Sequence, residues 1–175
     1  MTPKNSLLAI DPGIKEIGVA HFIGRELYDF GVKSPKRSSR KIPPLVKLAQ
    51  IMNRLVGEKK PDAIAVESNC FNGEDHRVMS EILGQIRKTA RQFKVPVYGF
   101  AASTIKKTVT GDGRATKRTL TKVIIAEYRE VKPYRETRIK WRERYYQNLF
   151  DAIACGLTFL HFQKTNQLNR YEIKD

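Results

Sequence analysis

The chain has 175 residues, of which 41% are apolar and 29% are charged, and its net charge is +15 with a pI near 10.0. This length suggests one domain, residues 1–175, with its own core, and neither a membrane-spanning run nor a signal-peptide pattern is visible. Cys70 and Cys155 are single and far apart, which argues against a zinc site or a disulfide framework. We therefore expect a reduced, cytoplasmic protein.

Five apolar runs bounded by Gly and Pro predict strands. They cover residues 6–11, 17–23, 26–31, 62–67 and 95–100. Only short turns, at Pro12-Gly13 and Gly24-Arg25, separate the first three strands, which are expected to pair antiparallel. The last two follow helical stretches and are expected to join the same sheet through crossovers. The sequence predicts an α/β fold with a mixed five-stranded sheet.

Apolar residues at helical spacing predict the helices. They cover residues 43–56, 76–93, 103–109, 116–128 and 142–163. Phe93 is expected to face inward at the end of the second helix, and Ser103 is expected to cap the third. The basic stretch 129–140 is expected to be a loop or a frayed helix.

The positive charge is concentrated in two windows. Residues 31–60 and residues 104–146 each carry a net charge of +8, and the rest of the chain sums to −1. A solvated basic surface is the ordinary explanation for one such window. Two windows that supply the whole excess favour a polyanion as partner, with nucleic acid as the default. We therefore expect the protein to be nucleoid-associated.

Three carboxylates stand in apolar surroundings. Asp11 and Glu67 each end a predicted strand, and Asp151 lies within the last predicted helix. Any one of them is explained by a cap, a turn or a surface charge. Three buried near one another repel, and a divalent cation removes that repulsion. Because oxygen ligands without a His or Cys cluster suit Mg²⁺ or Mn²⁺, the acids predict a site for a hard divalent cation.

Carboxylates, a divalent metal and a polyanion partner together indicate metal-assisted phosphodiester hydrolysis. In that chemistry one ion lowers the pKa of the attacking water and a second stabilises the leaving oxygen. We therefore expect two Mg²⁺ ions in each active site, with Mn²⁺ able to replace them.

Five blocks of the sequence resemble, in order and spacing, the RuvC Holliday junction resolvases of the RNase H-like superfamily. The blocks are LLAIDPGIKEIGVAHF, AIAVES, LGQIRKTA, IKKTVTGDGRATK and NLFDAIACGLTFLH, from about residue 7 to residue 161. The resemblance implies an RNase H-like mixed five-stranded sheet flanked by helices. It also implies a homodimer that binds a four-way DNA junction and nicks two strands symmetrically.

The resemblance assigns the metal-binding acids to Asp11, Glu67 and Asp151. Where the family commonly has a fourth acid, one helical turn before the last, this chain has Asn148. Residues 148 and 151 share one helix face, so Asn148 remains a candidate ligand. Its amide oxygen can bind Mg²⁺ but adds no charge, so either metal affinity is weaker or three acids carry the role.

The resemblance also places DNA-binding residues. The family's two lysines that approach DNA fall on Lys106 and Lys117, and its aromatic residue at the junction centre falls on or near Phe71. For Phe71, a loop anchor packed on the core is an equally good interpretation. The residues themselves indicate a wider phosphate-binding set around the Gly-containing loop before a helix N-terminus: Lys106, Lys107, Arg114, Lys117 and Arg118.

Alternatives remain open. The basic stretch 129–144 is longer than the resemblance leads us to expect, and a solvated linker and an extra DNA contact are about equal explanations. Actin-like and sugar-kinase ATPases are a poor match, since the chain lacks a second Gly-rich loop and a duplicated domain. An RNase H-like nuclease for structured RNA and a junction-binding protein that does not cleave are the remaining alternatives. The lysine block from 106 to 117 favours the resolvase.

Overall fold

The structure is a computed structural model that describes residues 5–13, 15–34, 43–68, 74–136 and 140–174. The strands are β1 (Ser6–Asp11), β2 (Ile17–Ile23), β3 (Glu26–Lys33), β4 (Ala63–Glu67) and β5 (Val97–Phe100). The α-helices are α1 (Pro44–Lys59), α2 (Glu74–Gln92), α3 (Ala102–Thr110), α4 (Lys117–Glu127), α5 (Lys132–Arg135) and α6 (Lys140–Lys164). Single 3₁₀ turns follow α4 and α6, at Arg129–Val131 and Leu168–Arg170.

The five strands form one mixed sheet in the order β3-β2-β1-β4-β5. The pairs β1–β2 and β2–β3 are antiparallel, whereas β1–β4 and β4–β5 are parallel. The antiparallel pairs are joined by short connections, and the parallel pairs are joined through helices, as the chain geometry requires. The predicted α/β sheet, with three antiparallel strands first, is confirmed.

The two faces of the sheet bury separate cores. Leu8, Ile10 and Val66 point to one face, where they pack with apolar residues of α1 and α2. Leu7 and Ala9 point to the other face, which α6 covers with α3 and α4. This alternation follows from the two-residue period of a strand. The result is a three-layer arrangement with α6 against the middle of the sheet.

Small residues let α6 approach the sheet closely. A Cβ atom built at Gly18 of β2 would overlap the backbone carbonyl of Asn148, and one built at Gly156 of α6 would overlap the ring of Phe22. The strands contribute fully buried alanines, such as Ala20, to the same face. A larger side chain at either glycine would push the helix away from β2, so the depth at which α6 sits depends on both.

A short C-terminal segment closes the β5 edge. The amide of Gly99 donates to the carbonyl of Tyr171 at 2.9 Å, and the amide of Ile173 donates to the carbonyl of Val97 at 2.8 Å. The ring of Tyr171 also packs on Phe100, with ring centres 4.9 Å apart. Backbone groups that an edge strand would leave open to other chains are therefore paired within the molecule.

Several local expectations are corrected. β3 extends to Lys33, two residues beyond the predicted end. Phe93 follows the end of α2 and is 43% exposed, so it does not face inward. The cap residue of α3 is Ala101 rather than Ser103. The next helix, α4, has a side-chain cap, since Thr116 accepts a hydrogen bond from the amide of Thr119.

Within the basic stretch 129–140, residues 129–135 form a 3₁₀ turn and the short helix α5, and they pack against the protein. Val131 is fully buried, and the ring of Tyr134 meets that of Phe30 edge to face with centres 5.6 Å apart. The solvated-linker interpretation is therefore wrong for these residues. No helix in the described ranges has an apolar stretch long enough to cross a bilayer.

The close approach of α6 to β2 is testable with two helix-interior glycines. A Cβ at Gly84 of α2 meets nothing within 4 Å, whereas a Cβ at Gly156 meets Phe22. Both Gly→Ala changes gain helix propensity of about 1 kcal/mol. We expect Gly84→Ala to raise the free energy of unfolding and Gly156→Ala to lower it by about 1–3 kcal/mol, because the core is overpacked.

Urea unfolding followed by circular dichroism measures both variants against the unchanged protein. Equal stabilisation by the two substitutions would contradict the packing of α6 on Phe22.

Candidate active site

Two carboxylates meet at the ends of adjacent parallel strands. Ile10 of β1 pairs with Val66 of β4, so the next residues, Asp11 and Glu67, lie side by side at the carboxyl edge of the sheet. Side chains alternate between the two faces of a strand. The side chains of Asp11 and Glu67 therefore point to the same face as Ala9, which is the face that α6 covers. The apolar strands therefore hold two acids at one point, directed to the α6 side.

The third carboxylate comes from α6. Asp151 is only 8% exposed. Its Oδ1 accepts a hydrogen bond of 2.9 Å from Gln147, one turn earlier, and its Oδ2 accepts one of 3.0 Å from the ammonium of Lys117. Lys117 is the first residue of α4. Asp151 is thus held between two helices in a fixed orientation.

These groups line one pocket of about 230 Å³. Its lining consists of Asp11, Pro12, Glu67, Met79, Lys117, Asn148 and Asp151. The predicted acids and Asn148 are therefore gathered in one place, although they come from three elements far apart in the sequence. Asn148 reaches the pocket because its backbone carbonyl packs against Gly18, the residue of β2 that pairs with Asp11 of β1.

The acidic side chains of the pocket repel one another. Burial, followed by repulsion from Asp151 and Glu67, raises the pKa of Asp11 well above its ordinary value, and Lys117 opposes the rise. Burial by itself lowers the pKa of Lys117, but attraction and hydrogen bonding to Asp151 outweigh it, so the pKa is raised. The ammonium therefore stays charged and offsets part of the negative charge.

Cys155 lies one turn after Asp151 on α6 and is fully buried. Burial, then the charges of Glu67 and Asp11, raises the pKa of its thiol well above the ordinary value. The thiol is therefore neutral and acts as a small apolar side chain.

The donor set of the pocket fits a hard divalent cation. Three carboxylates and one amide supply only oxygen ligands, and the repulsion at Asp11 is of the kind that a cation relieves. Among the described residues, no three His, Cys, Asp or Glu side chains already form a ligand cluster. Instead, Lys117 occupies one oxygen of Asp151. A divalent cation bound in this pocket would compete with the Lys117 ammonium for the same carboxylate.

Of the predicted DNA-binding residues, Lys117 lines the acidic pocket. Lys106 and Lys107 lie on α3, and Arg114 lies in the loop that leads to α4. That loop folds back on α3, since Gly113 lies close to the carbonyl of Ser103. A carboxylate oxygen of Asp112 accepts a hydrogen bond of 2.8 Å from the backbone amide of Arg114, and this bond fixes the turn.

The other predicted DNA contacts have two different outcomes. Arg118 is exposed on the first turn of α4, beside Lys117. Phe71 lies outside the described residues, so its placement stays a prediction. Sequence reasoning did not identify Gln147, although its position four residues before Asp151 on one helix was a usable signal.

Sequence comparison with known proteins identifies the family. A family model described as "Crossover junction endodeoxyribonuclease RuvC" matches residues 7–133, which include Asp11 and Glu67 and end before α6. A protein of that name from Prochlorococcus marinus is 24% identical over 163 residues, covering 90% of this chain and 97% of its own. One from Vibrio atlanticus is 30% identical over 116 residues, covering 63% of this chain and 67% of its own.

Solved structures give the same result for the fold. The structure of Thermus thermophilus RuvC matches with a TM-score of 0.74 and 20% identity, covering 96% of this chain and 99% of that one. The same protein in complex with Holliday junction substrate matches with a TM-score of 0.75. The predicted RNase H-like fold and the sequence resemblance are both confirmed.

Repulsion among the carboxylates of the pocket predicts that the charge of Asp11 lowers the free energy of unfolding. Asp11→Asn removes a buried charge that two neighbours repel, so at pH 7 without divalent metal we expect the free energy of unfolding to rise by about 1 kcal/mol. Because the pKa of Asp11 is raised in the folded state, the folded protein takes up the proton first as pH falls. The advantage of the variant should therefore shrink as pH falls from 7 toward the ordinary pKa of an aspartate.

Urea unfolding in EDTA across this pH range measures the effect, with the exposed Glu130→Gln as a control that changes little. A lower stability of Asp11→Asn at pH 7 would show that the carboxylates do not repel one another.

Proposed function

Because the chain belongs to the RuvC family, we propose that it is a structure-selective endonuclease. It cuts four-way or otherwise branched DNA in recombination and repair, by divalent-metal-dependent hydrolysis of phosphodiester bonds. The observation that carries the proposal is the meeting of Asp11, Glu67 and Asp151 in one pocket with Lys117. A related structure is described as RuvC bound to a Holliday junction substrate, which supports the choice of substrate.

The proposed metal ligands are Asp11, Glu67 and Asp151, with the amide oxygen of Asn148 as an uncharged fourth. Mg²⁺ is the proposed ion, with Mn²⁺ as substitute and two ions in each site. When bound, such ions supply Lewis-acid charge and lower the pKa of water.

The protein's own groups hold this chemistry in place. Asp11 and Glu67 are fixed by paired strands, which limits their motion. Gln147 holds one oxygen of Asp151 and leaves the second to a cation. Lys117 places a positive charge at the mouth of the pocket, where the negatively charged phosphodiester has to enter. These fixed groups lower the cost of bringing a polyanion toward three acids.

The basic residues around α3 and α4 are the proposed backbone contacts. Lys106, Lys107, Arg114 and Arg118 lie on the elements that flank Lys117, so a strand bound there is led toward the acids. Such contacts position DNA and do not read its sequence. Phe71 completes the proposal as the aromatic residue that stacks at the junction centre.

The proposal includes the assembly and the place of action. Residues 1–175 act as one RNase H-like nuclease domain, and two copies form a homodimer, since two symmetrical nicks in a four-way junction require two active sites. The enzyme acts on DNA in the cytoplasm.

Cleavage of a synthetic four-way junction tests the proposed activity. With Mg²⁺ or Mn²⁺ we expect cutting of the junction in preference to linear duplex of the same sequences, and none in EDTA. Asp11→Asn should abolish cutting, with a loss of at least about a hundredfold, and keep junction binding, because it removes a metal ligand and no phosphate contact. Denaturing gels measure cutting, and a mobility shift in EDTA measures binding.

The other outcomes separate the alternatives. Equal cutting of junction and duplex would rule out structure selectivity. Binding without cutting would support a non-cleaving junction-binding protein, and cutting of a structured RNA in preference to the junction would support an RNA nuclease. Normal cutting by Asp11→Asn would overturn the metal assignment.

Asn148→Asp tests whether the amide is a metal ligand. A fourth carboxylate increases the negative charge that binds the cation, so we expect half-maximal cutting at a severalfold lower Mg²⁺ concentration. The exposed Asn169→Asp, the same chemical change on the 3₁₀ turn after α6, is the matched control. Identical Mg²⁺ titrations of the two variants would remove Asn148 from the site.

A further inference from the structure

The first turns of α6 extend beyond the sheet at the end that carries the acids. β3 runs parallel to β1, since both are antiparallel to β2. The hydroxyl of Tyr145 donates to the carbonyl of Val32, next to the last residue of β3, at 3.3 Å. Asn148, almost one turn later, crosses Gly18 opposite Asp11. The helix residues before Tyr145 therefore lie beyond the edge of the sheet at which the pocket lies.

Helical periodicity places Arg144 on the pocket side of α6. It precedes Asp151 by seven residues, which at about 100° each brings the two within about 20° of one direction. The separation along the helix axis is about 10.5 Å. Arg142 precedes Asp151 by nine residues and so points about 180° away. Two arginines of one helix are thus directed to the pocket side and to the opposite side.

Packing fixes this orientation. Besides the contact of Tyr145, the ring of Tyr146 meets that of Tyr134 with centres 5.0 Å apart, and Tyr134 in turn packs on Phe30. Glu143 is bound to Arg135 of α5. The neighbouring acid is therefore already paired, and α6 cannot turn about its axis without breaking these contacts.

Arg144 itself is exposed. Within the described ranges, none of the ion pairs includes it. Lys117 reaches Asp151 from a different element, α4. A nucleic acid strand that enters the pocket thus meets cations from two elements, α4 and α6.

We propose that Arg144 binds a backbone phosphate of the strand that is cut, and so positions the scissile bond over the acids. The contact is within about three nucleotides of that bond, since duplex DNA rises about 3.4 Å for each nucleotide of a strand. The inference rests on the proposed function. It assigns to the start of α6 a role as the second DNA-binding element of the active site.

The experiment compares Arg144→Gln with Arg142→Gln on a four-way junction in EDTA, across a series of salt concentrations. Loss of one phosphate contact lowers the slope of log K against log salt by about 0.9 for duplex DNA. We expect that change for Arg144→Gln, with weaker binding and a raised KM for cutting in Mg²⁺. Arg142→Gln should keep the wild-type slope, and Arg144→Lys should restore most of it. Thermal unfolding checks that all variants fold.

Junctions with one neutral methylphosphonate linkage locate the contact. At one position near the scissile bond, the neutral linkage should weaken binding by the wild type and not weaken binding by Arg144→Gln any further. Equal salt slopes for Arg144→Gln and Arg142→Gln, or equal losses for wild type and Arg144→Gln at every position, would overturn the inference.

The two proposals fail separately. If the wild type cuts the junction and the two arginine variants behave alike, the proposed function stands and the role of Arg144 falls. If the wild type binds the junction without cutting it, the nuclease proposal falls, and the salt slopes still decide whether Arg144 contacts the backbone.

Discussion

The contact between α6 and β2 is the constraint on which the rest of the molecule depends. It requires glycine at two places, Gly18 on the strand and Gly156 on the helix, because a Cβ at either one would overlap its partner. Alanines fill much of the remaining surface between them. At this depth Asp151 reaches the acids at the ends of β1 and β4, and Asn148 reaches the same pocket. The absence of a side chain at Gly18 and at Gly156 is therefore as necessary for the site as the side chains that line the pocket.

The acids are gathered at a cost that the fold meets only in part. Burial and mutual repulsion disfavour the charged form of Asp11, and Lys117 offsets some of this by pairing with Asp151. The lysine therefore has two roles that sequence reasoning did not separate, as a substitute cation within the pocket and as a candidate contact for DNA. The unbalanced negative charge that would bind a cation also lowers the stability of the fold. A substitution of Asp11 that raises stability is therefore expected to remove function.

The sheet and its acids were predictable because strand patterns are local. The apolar runs ending at Asp11 and Glu67 specify two strand ends, and parallel pairing then brings the two carboxylates together. The exposure of other residues depends on tertiary packing, which the local pattern does not show. Phe93 fits the helical spacing but falls just after the end of α2 and is exposed. Residues 129–136 look polar and mobile by composition, yet Val131 and Tyr134 anchor them against the core.

The hydrogen bond between Tyr145 and Val32 joins residues 113 positions apart in the chain. Contacts of such long range form late in folding, since the entropy of closing the loop has to be met before they contribute. β1, β2 and β3 can pair early, but Asp11 then lies on an open sheet with no third acid beside it. The pocket comes into being only when α6 docks. The ability to cut DNA is therefore confined to chains in which α6 has docked on the sheet.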